Sequence, residues 1–399
     1  MAENPPEWLD ADFFEKALRP NRKDPNLKIL SCEVGRATQP GDNFGSEMYR
    51  ANLKIEANHE IEDTSVIIKC RIRGSELMNT PITSDAFITE AKIYSEIHTL
   101  MKKEALAKTI QPFAAKCFFT NTDTWREAIM LEDLKKEGFR LAEVSVGLDL
   151  EHCMLVMRTI AQYHAASLVL REKILKCLEP FKESLFIKYP DSVMAQFLAT
   201  SVRNLAQEVV NWPGYEIYQD ALKSLEPTAN NHLMDALRID ETGLNVLLHG
   251  DLWLNNMMFR YSEETGNVQD VRFVDFQLSC VSSPAVDLQY FLNSSASPQV
   301  LENNLDKLLQ EYHTTLCNTL AHHCLHPTNG VIKSEFHKRG LYGALCGLSI
   351  RSVVLCDKSH IPDFDDIVVK QGNVYLSDTF KTAMKKLLPL YRTWEWLNV

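Results

Sequence analysis

The sequence predicts an α+β chain, with a β-rich N-terminal part holding one key helix and a larger α-rich part enclosing a small β-hairpin. Three observations predict it. Between residues 28 and 73, β-branched and apolar residues recur at strand spacing. Beyond residue 134, apolar residues follow helical spacing over long runs. Within that helical part, short apolar runs flank the turn-forming segment Ser262 to Asn267. A length of 399 residues suits two or three units at roughly 100–200 residues each. The change of character near residue 134 suggests a division into 1–134 and 135–399.

In Met48 to Ile55, Ala51, Leu53 and Ile55 share one face at period two, against Asn52 and Lys54. Thr64 to Arg73 is rich in β-branched residues: Val66, Ile67, Ile68 and Ile72. Ser84 to Leu100 reads as a helix, with Ser84 as its N-cap and Phe87, Ala91, Tyr94 and Ile97 as its apolar stripe. A short strand, Ala128 to Leu131, runs into Glu132, Asp133 and Leu134. Helices are expected over Leu150 to Leu170, Asp191 to Val210, Tyr215 to Leu225, Leu301 to Cys324 and Thr379 to Tyr391, and short strands over Val246 to Leu248, Met257 to Tyr261 and Val271 to Val274.

Bulk properties narrow the function. The formal net charge of -11 opposes non-specific nucleic-acid binding. The ten cysteines have no CxxC pair or zinc spacing, which points to reduced thiols in the cytoplasm. Met1 to Asp12 carries acids and prolines rather than a secretory apolar core. The apolar stretch Leu341 to Ile350 is too short to span a bilayer, so no membrane insertion is expected.

The chemistry concentrates in His249 to Asn256 and Phe273 to Gln277. Asp251 follows a short strand, where a loop can present it as a base. Asn256, five residues on, can offer an amide oxygen to a metal. Asp275 ends the next strand pair. A hairpin would bring Asp251, Asn256 and Asp275 to one edge. That set suits magnesium, a hard cation that keeps its waters and binds phosphates. A lone HxD means little; the flanking strands and the terminal Asp275-Phe276 add much more.

Two further residues fit. Lys69 lies inside a strand, an unusual place for lysine unless it faces water on an edge. Glu90 falls on the apolar stripe of its helix, where a buried acid wants a cation, and Lys69 is the natural partner. Glu96 is the rival, but its neighbour Lys92 suggests a solvated face. The turn Gly41 to Ser46, with Asn43 inside it, could cover phosphates with backbone N–H groups; an ordinary hairpin turn explains it nearly as well. His164, beside Ala161, Ala165 and Ala166, reads as a satisfied core histidine, and His249 as a brace for the loop.

The stretches Leu248 to Asn256, Val274 to Gln277 and Pro284 to Leu288 resemble the catalytic loop and metal-binding turn of choline kinases and aminoglycoside phosphotransferases. Within that branch the chain most resembles the ecdysteroid kinase-like family. Gly41 to Ser46, Ile68 to Cys70, Phe87 to Glu90 with Tyr94, Leu131 to Leu134 and His164 to Ser167 extend the resemblance over nearly the whole chain. It implies a two-lobed protein-kinase-like fold and an ATP- and magnesium-dependent transfer of phosphate to a small-molecule alcohol, a steroid or xenobiotic alcohol above others. Asp251 would be the base, Asn256 and Asp275 the metal ligands. Lys69 would bind phosphate under the hold of Glu90, with Gly41, Asn43 and Ser46 beside it, and the backbone of Glu132 and Leu134 would hold adenine. Asp287 is either a third metal ligand or, as the family pattern implies, a buried acid accepting backbone N–H bonds.

Peptide phosphorylation is disfavoured. Trp253 stands where protein kinases carry a lysine, Gln277 replaces the glycine of Asp-Phe-Gly, and Pro284 and Asp287 follow too soon for a long activation segment. A catalytically dead ligand-binding relative is the alternative, although every core catalytic position holds a competent residue type. A metal-dependent hydrolase would leave Lys69 and Glu90 unexplained. Tyr342, Asp363, Phe364, Asp365 and Asp366 are aromatic and acidic residues of the C-terminal part that could serve an acceptor.

Overall fold

The computed structural model describes residues 5–38, 46–71, 80–105, 111–123, 126–320, 327–356 and 377–397. The chain divides into two compact units, 1–99 with 114–140, and 100–113 with 141–399. The first is β-rich and the second mainly helical, the α+β order expected from the sequence.

The first unit opens with a helix the sequence did not announce, α1 (Ala11–Arg22). Asp10 caps it by accepting from the Phe13 N–H at 2.9 Å. Pro20 lies inside the last turn, where it removes one intrahelical N–H donor. Phe13, Phe14, Ala17 and Leu18 are buried.

They pack on a five-stranded antiparallel sheet of order β1-β2-β3-β5-β4. The strands are β1 (Lys28–Arg36), β2 (Ser46–Ala57), β3 (Glu60–Arg71), β4 (Cys117–Asn121) and β5 (Ala128–Glu132). Asn58 and His59 join β2 to β3 in two residues, both with positive φ (50° and 69°). That is the turn geometry whose twist matches a β-hairpin. Period-two alternation puts Tyr49, Ala51, Leu53 and Ile55 of β2, with Val66, Ile68 and Cys70 of β3, into the core under α1.

The helix α2 (Pro81–Lys92) starts earlier than expected. Ser84 is not its N-cap, because the Ser84 N–H already bonds back to the Thr80 carbonyl at 3.3 Å. Pro81 starts the helix instead, its fixed φ suited to the first turn. Beyond α2 the chain loosens into π-turns at Ile93–Ile97 and Met101–Ala105.

The second unit is built on Leu150–Lys173, capped by Asp149, which accepts from the His152 N–H at 3.0 Å. By length and composition this helix could cross a membrane, yet most of it is buried inside the protein. The other expected helices are present with shifted ends, at Val193–Glu208, Gln219–Leu225, Pro298–Thr319 and Asp378–Thr393. The apolar stretch near Leu341 is a helix, Gly340–Val354, lying close against another, Ala285–Ser295. A Cβ on Gly343 would stand 1.9 Å from the Gln289 Oε1, so a larger residue would have to displace the Gln289 side chain. At the far end, the fully buried Arg351 donates to the carbonyls of Asn293 (2.8 Å) and Ala296 (2.7 Å). These are the carbonyls a helix C-terminus leaves unpaired. The helix Ala285–Ser295 is thereby seated firmly.

Candidate active site

In the second unit the strand Val246–Leu247 pairs with Val281–Ser282, and the Leu248 N–H reaches the Cys280 carbonyl at 2.8 Å. The chain then turns sharply at Gly250, whose φ is +83°. A Cβ there would lie 2.2 Å from the Leu278 carbonyl oxygen, so no other residue fits. A short 3-10 turn, Leu254–Asn256, leads into the strand Met257–Tyr261, which pairs with Val268–Phe273. Its register sets Met257 against Phe273, and the Val274 N–H donates to the Asn256 carbonyl at 3.0 Å. Asn256 therefore lies beside the turn that carries Asp275.

Asp275 has a φ of +68°, left-handed backbone that few non-glycine residues adopt and that asparagine and aspartate enter more readily than most. His249 ties this turn to the loop. Its Nε2 donates to the Val274 carbonyl at 3.1 Å, and its Nδ1 accepts from the Asp251 N–H at 3.2 Å. That pattern needs the neutral ring. Burial favours it, pushing the imidazole below its ordinary value despite the nearby charges of Asp287 and Asp275.

The Asp251 carboxylate is held from two sides. Tyr290 donates its hydroxyl to Oδ1 at 2.6 Å, and the Asn256 Nδ2 donates to Oδ2 at 3.0 Å and to the Asp251 carbonyl at 2.9 Å. Burial, followed by the negative charge of Asp275, raises the Asp251 carboxyl to about 7. The bonds from Tyr290 and Asn256 pull the other way. A group poised near neutrality suits proton abstraction.

With its amide nitrogen engaged by Asp251, Asn256 has its amide oxygen left to act as a ligand. Among the described residues, no three His, Cys, Asp or Glu side chains form a metal-binding group. One carboxylate and one amide oxygen do not make a zinc or calcium cage. They fit magnesium, which takes few protein ligands and completes its shell with water and phosphate oxygens.

Asp287, fully buried on the helix Ala285–Ser295, accepts from the N–H groups of His249 (2.7 Å) and Gly250 (2.9 Å) and from His164 Nε2 (3.1 Å). The other nitrogen of His164 meets the Tyr312 hydroxyl at 2.9 Å. His164 is thus a satisfied core histidine, and Asp287 spends its oxygens on the loop backbone. Tyr290, one turn along the same helix, escaped the sequence reading. Its only signal was the i, i+3 spacing from Asp287.

In the first unit, Lys69 pairs with Met48 of β2 on one side and Ile129 of β5 on the other, so it is on an interior strand, not an edge. It points away from the core face that Ile68 and Cys70 share. Its Nζ meets the Glu90 Oε2 at 2.5 Å, with both side chains almost fully buried. Glu96 is exposed. Ser46 is buried at the start of β2, two positions from Met48. Gly41 and Asn43 lie outside the described residues, as do Asp363, Phe364, Asp365 and Asp366. Tyr342 is described; it lines a cavity of about 500 Å³ with His232, Ala236, Arg238, Ile239 and Leu341.

The linker after β5 is braced by a residue the sequence left unassigned. Asp133 accepts from Arg50 Nε and the Ser65 hydroxyl, both at 2.7 Å, and from the Lys135 N–H at 3.2 Å. The Glu132 N–H donates to the Lys116 carbonyl at 2.8 Å, and the Leu134 carbonyl accepts from Phe139 at 2.9 Å. Burial alone would raise the Asp133 carboxyl, but the bonds from Arg50 and Ser65 outweigh it and hold the carboxyl below its ordinary value. A depressed folded-state value adds stability that is present above an unfolded value of about 4 and lost as pH falls through the folded one. The stability gap between wild type and Asp133→Asn is therefore expected to narrow on acidification below about pH 4. Thermal melts from pH 7 to 3 check this, and a constant gap would refute it.

A model of the ecdysteroid kinase-like family matches residues 40–325. Among solved structures, the chain is similar to a mutant aminoglycoside 2'-phosphotransferase IIIa in its GDP complex. The TM-score is 0.44 at 10% identity, over 96% of this chain and 100% of that one. It is also similar to a choline/ethanolamine kinase family protein from Mesorhizobium loti, with a TM-score of 0.38 at 11% identity, over 89% of this chain and 92% of that one. No curated protein matches the chain.

Proposed function

The chain belongs to the ecdysteroid kinase-like family, and on that premise we propose that it is an ATP- and magnesium-dependent kinase acting on the hydroxyl of a small molecule, an ecdysteroid or another steroid or xenobiotic alcohol. The observation that carries the reading is the edge formed by Asp251, Asn256 and Asp275, with the Asp251 carboxylate held by two donors. Asp251 orients the acceptor hydroxyl and takes its proton as the new O–P bond forms. The bond from the γ-phosphorus to the β,γ-bridging oxygen breaks, and ADP leaves. Asn256 and Asp275 hold magnesium, which when bound neutralises charge on the phosphate oxygens.

Lys69, positioned by Glu90, binds the α- and β-phosphates, and Gly41, Asn43 and Ser46 add phosphate-binding groups to it. The backbone of Glu132 and Leu134 takes the adenine, in a linker that Asp133 keeps rigid. The free thiols at every described cysteine suit a cytoplasmic enzyme.

The test is ADP release from ATP and magnesium across ecdysteroids, other sterols, plant phenolic glycosides, choline, ethanolamine and aminoglycosides. Stimulation by an acceptor supports the reading and names the substrate class. Bound ATP with no transfer to any acceptor would favour a catalytically inactive ligand-binding protein. Asp275→Asn, which suits left-handed backbone better than alanine, is expected to weaken nucleotide binding in magnesium by about tenfold or more, about 1.4 kcal/mol per decade. It should leave binding in excess EDTA unchanged. Equal affinity for wild type and variant in magnesium would remove Asp275 from the metal site.

A further inference from the structure

We propose that Tyr290 is a positioning residue of this phosphotransfer site, fixing the Asp251 carboxylate in the orientation that receives the acceptor proton. The inference rests on the kinase reading above and adds to it a residue outside the catalytic loop and metal turn.

A carboxylate has about four lone-pair positions on two oxygens. In Asp251 one donor already sits on each oxygen, Tyr290 on Oδ1 at 2.6 Å and Asn256 on Oδ2 at 3.0 Å. Donors on both oxygens fix the rotation of the carboxylate about its own bond, which a single donor cannot do. The positions that remain for an acceptor hydroxyl are then few and constant. Charge-assisted O–H to carboxylate bonds are short and strong, and 2.6 Å is within their range.

The support behind Tyr290 is rigid. One turn before it on the same helix, Asp287 grips the loop backbone at His249 and Gly250. Helix Ala285–Ser295 is held at its C-terminal end by Arg351 and along its side by the close approach of Gly343. One rigid element therefore sets both the backbone of the catalytic loop and the side chain of its base. Burial first, and then the charge of Asp251, keep the Tyr290 phenol protonated, so it acts as donor. A tyrosine that merely fills the core ends on a backbone carbonyl or another bystander; this one, largely buried, ends on the reacting group.

The experiment compares wild type, Tyr290→Phe, Asp251→Asn and the double variant as full-length proteins. The measurements are kcat with the best acceptor, KM for magnesium-ATP, acceptor-free ATP hydrolysis and Tm. Tyr290→Phe is expected to lower kcat by about 10–100-fold, with KM for ATP within about twofold. In the Asp251→Asn background the same change is expected to add less than about twofold, because the group it positions is already gone. Unimpaired kcat in Tyr290→Phe, with or without a lower Tm, would overturn the proposal and leave the kinase reading standing. So would an equal loss in the Asp251→Asn background. A wild type that binds no magnesium-ATP and turns none over would sink the kinase reading itself, and the role of Tyr290 with it.

Discussion

Asp251→Asn is expected to lower turnover by about 10³-fold, within the 10²–10⁴ range of general-base catalysis, while magnesium-ATP still binds. The substitution is unusually clean in this environment. The amide oxygen of the new residue can keep the bond from Asn256 Nδ2, now on Oδ2. Its NH₂ then faces the Tyr290 hydroxyl, which can accept as well as donate. Shape and both contacts survive, and the capacity to take a proton does not. A factor of 10³ corresponds to about 4 kcal/mol of transition-state stabilisation. Single-turnover kinetics beside equilibrium nucleotide binding separate the two effects. An intact fold that no longer binds magnesium-ATP would assign Asp251 to the nucleotide instead. Undiminished turnover would mean that positioning of the phosphates alone drives the reaction and that no base is needed.

The parts legible in the sequence were those with local signals. Alternation in Met48 to Ile55 exposed β2, and the apolar stripe of α2 picked out Glu90, because a helix face can be counted off without knowing its partner. The hairpin around Ser262 to Asn267 was visible from its turn residues. What stayed hidden depends on contacts remote in the chain. Tyr290 meets Asp251 across 39 positions, and Asp133 meets Arg50 across 83. Nothing in the local pattern distinguishes them from any tyrosine on a buried helix or any aspartate in a linker. Helix α1 was not among the expected elements, although Phe13, Phe14, Ala17 and Leu18 carry a helical stripe. Ser84 misled because it is a good capping residue four positions after the true start, Thr80, whose side chain makes no capping bond.

Asp287→Ala is expected to destabilise the second unit by about 3–5 kcal/mol, the usual penalty for breaking a buried charged network. Its carboxylate is fully buried and accepts three hydrogen bonds, two of them from consecutive backbone N–H groups in the catalytic loop. Alanine fills neither oxygen position, and the site is too enclosed for bulk water to replace them. The N–H groups of His249 and Gly250 and the His164 ring then lose their acceptor together. The expected fall in Tm is on the order of 10 °C. Tyr312→Phe offers a graded comparison. It removes one hydroxyl on the far side of His164 and leaves the loop untouched, so about 1–2 kcal/mol is expected. The ordering of the two variants tests the network directly. Equal losses would place the energy in the packing of His164 rather than in the loop amides. A Tm for Asp287→Ala within about 2 °C of wild type, under 1 kcal/mol, would show that the loop holds its turn without the buried acid. The loop geometry that presents Asp251 would then come from Gly250 and His249 alone.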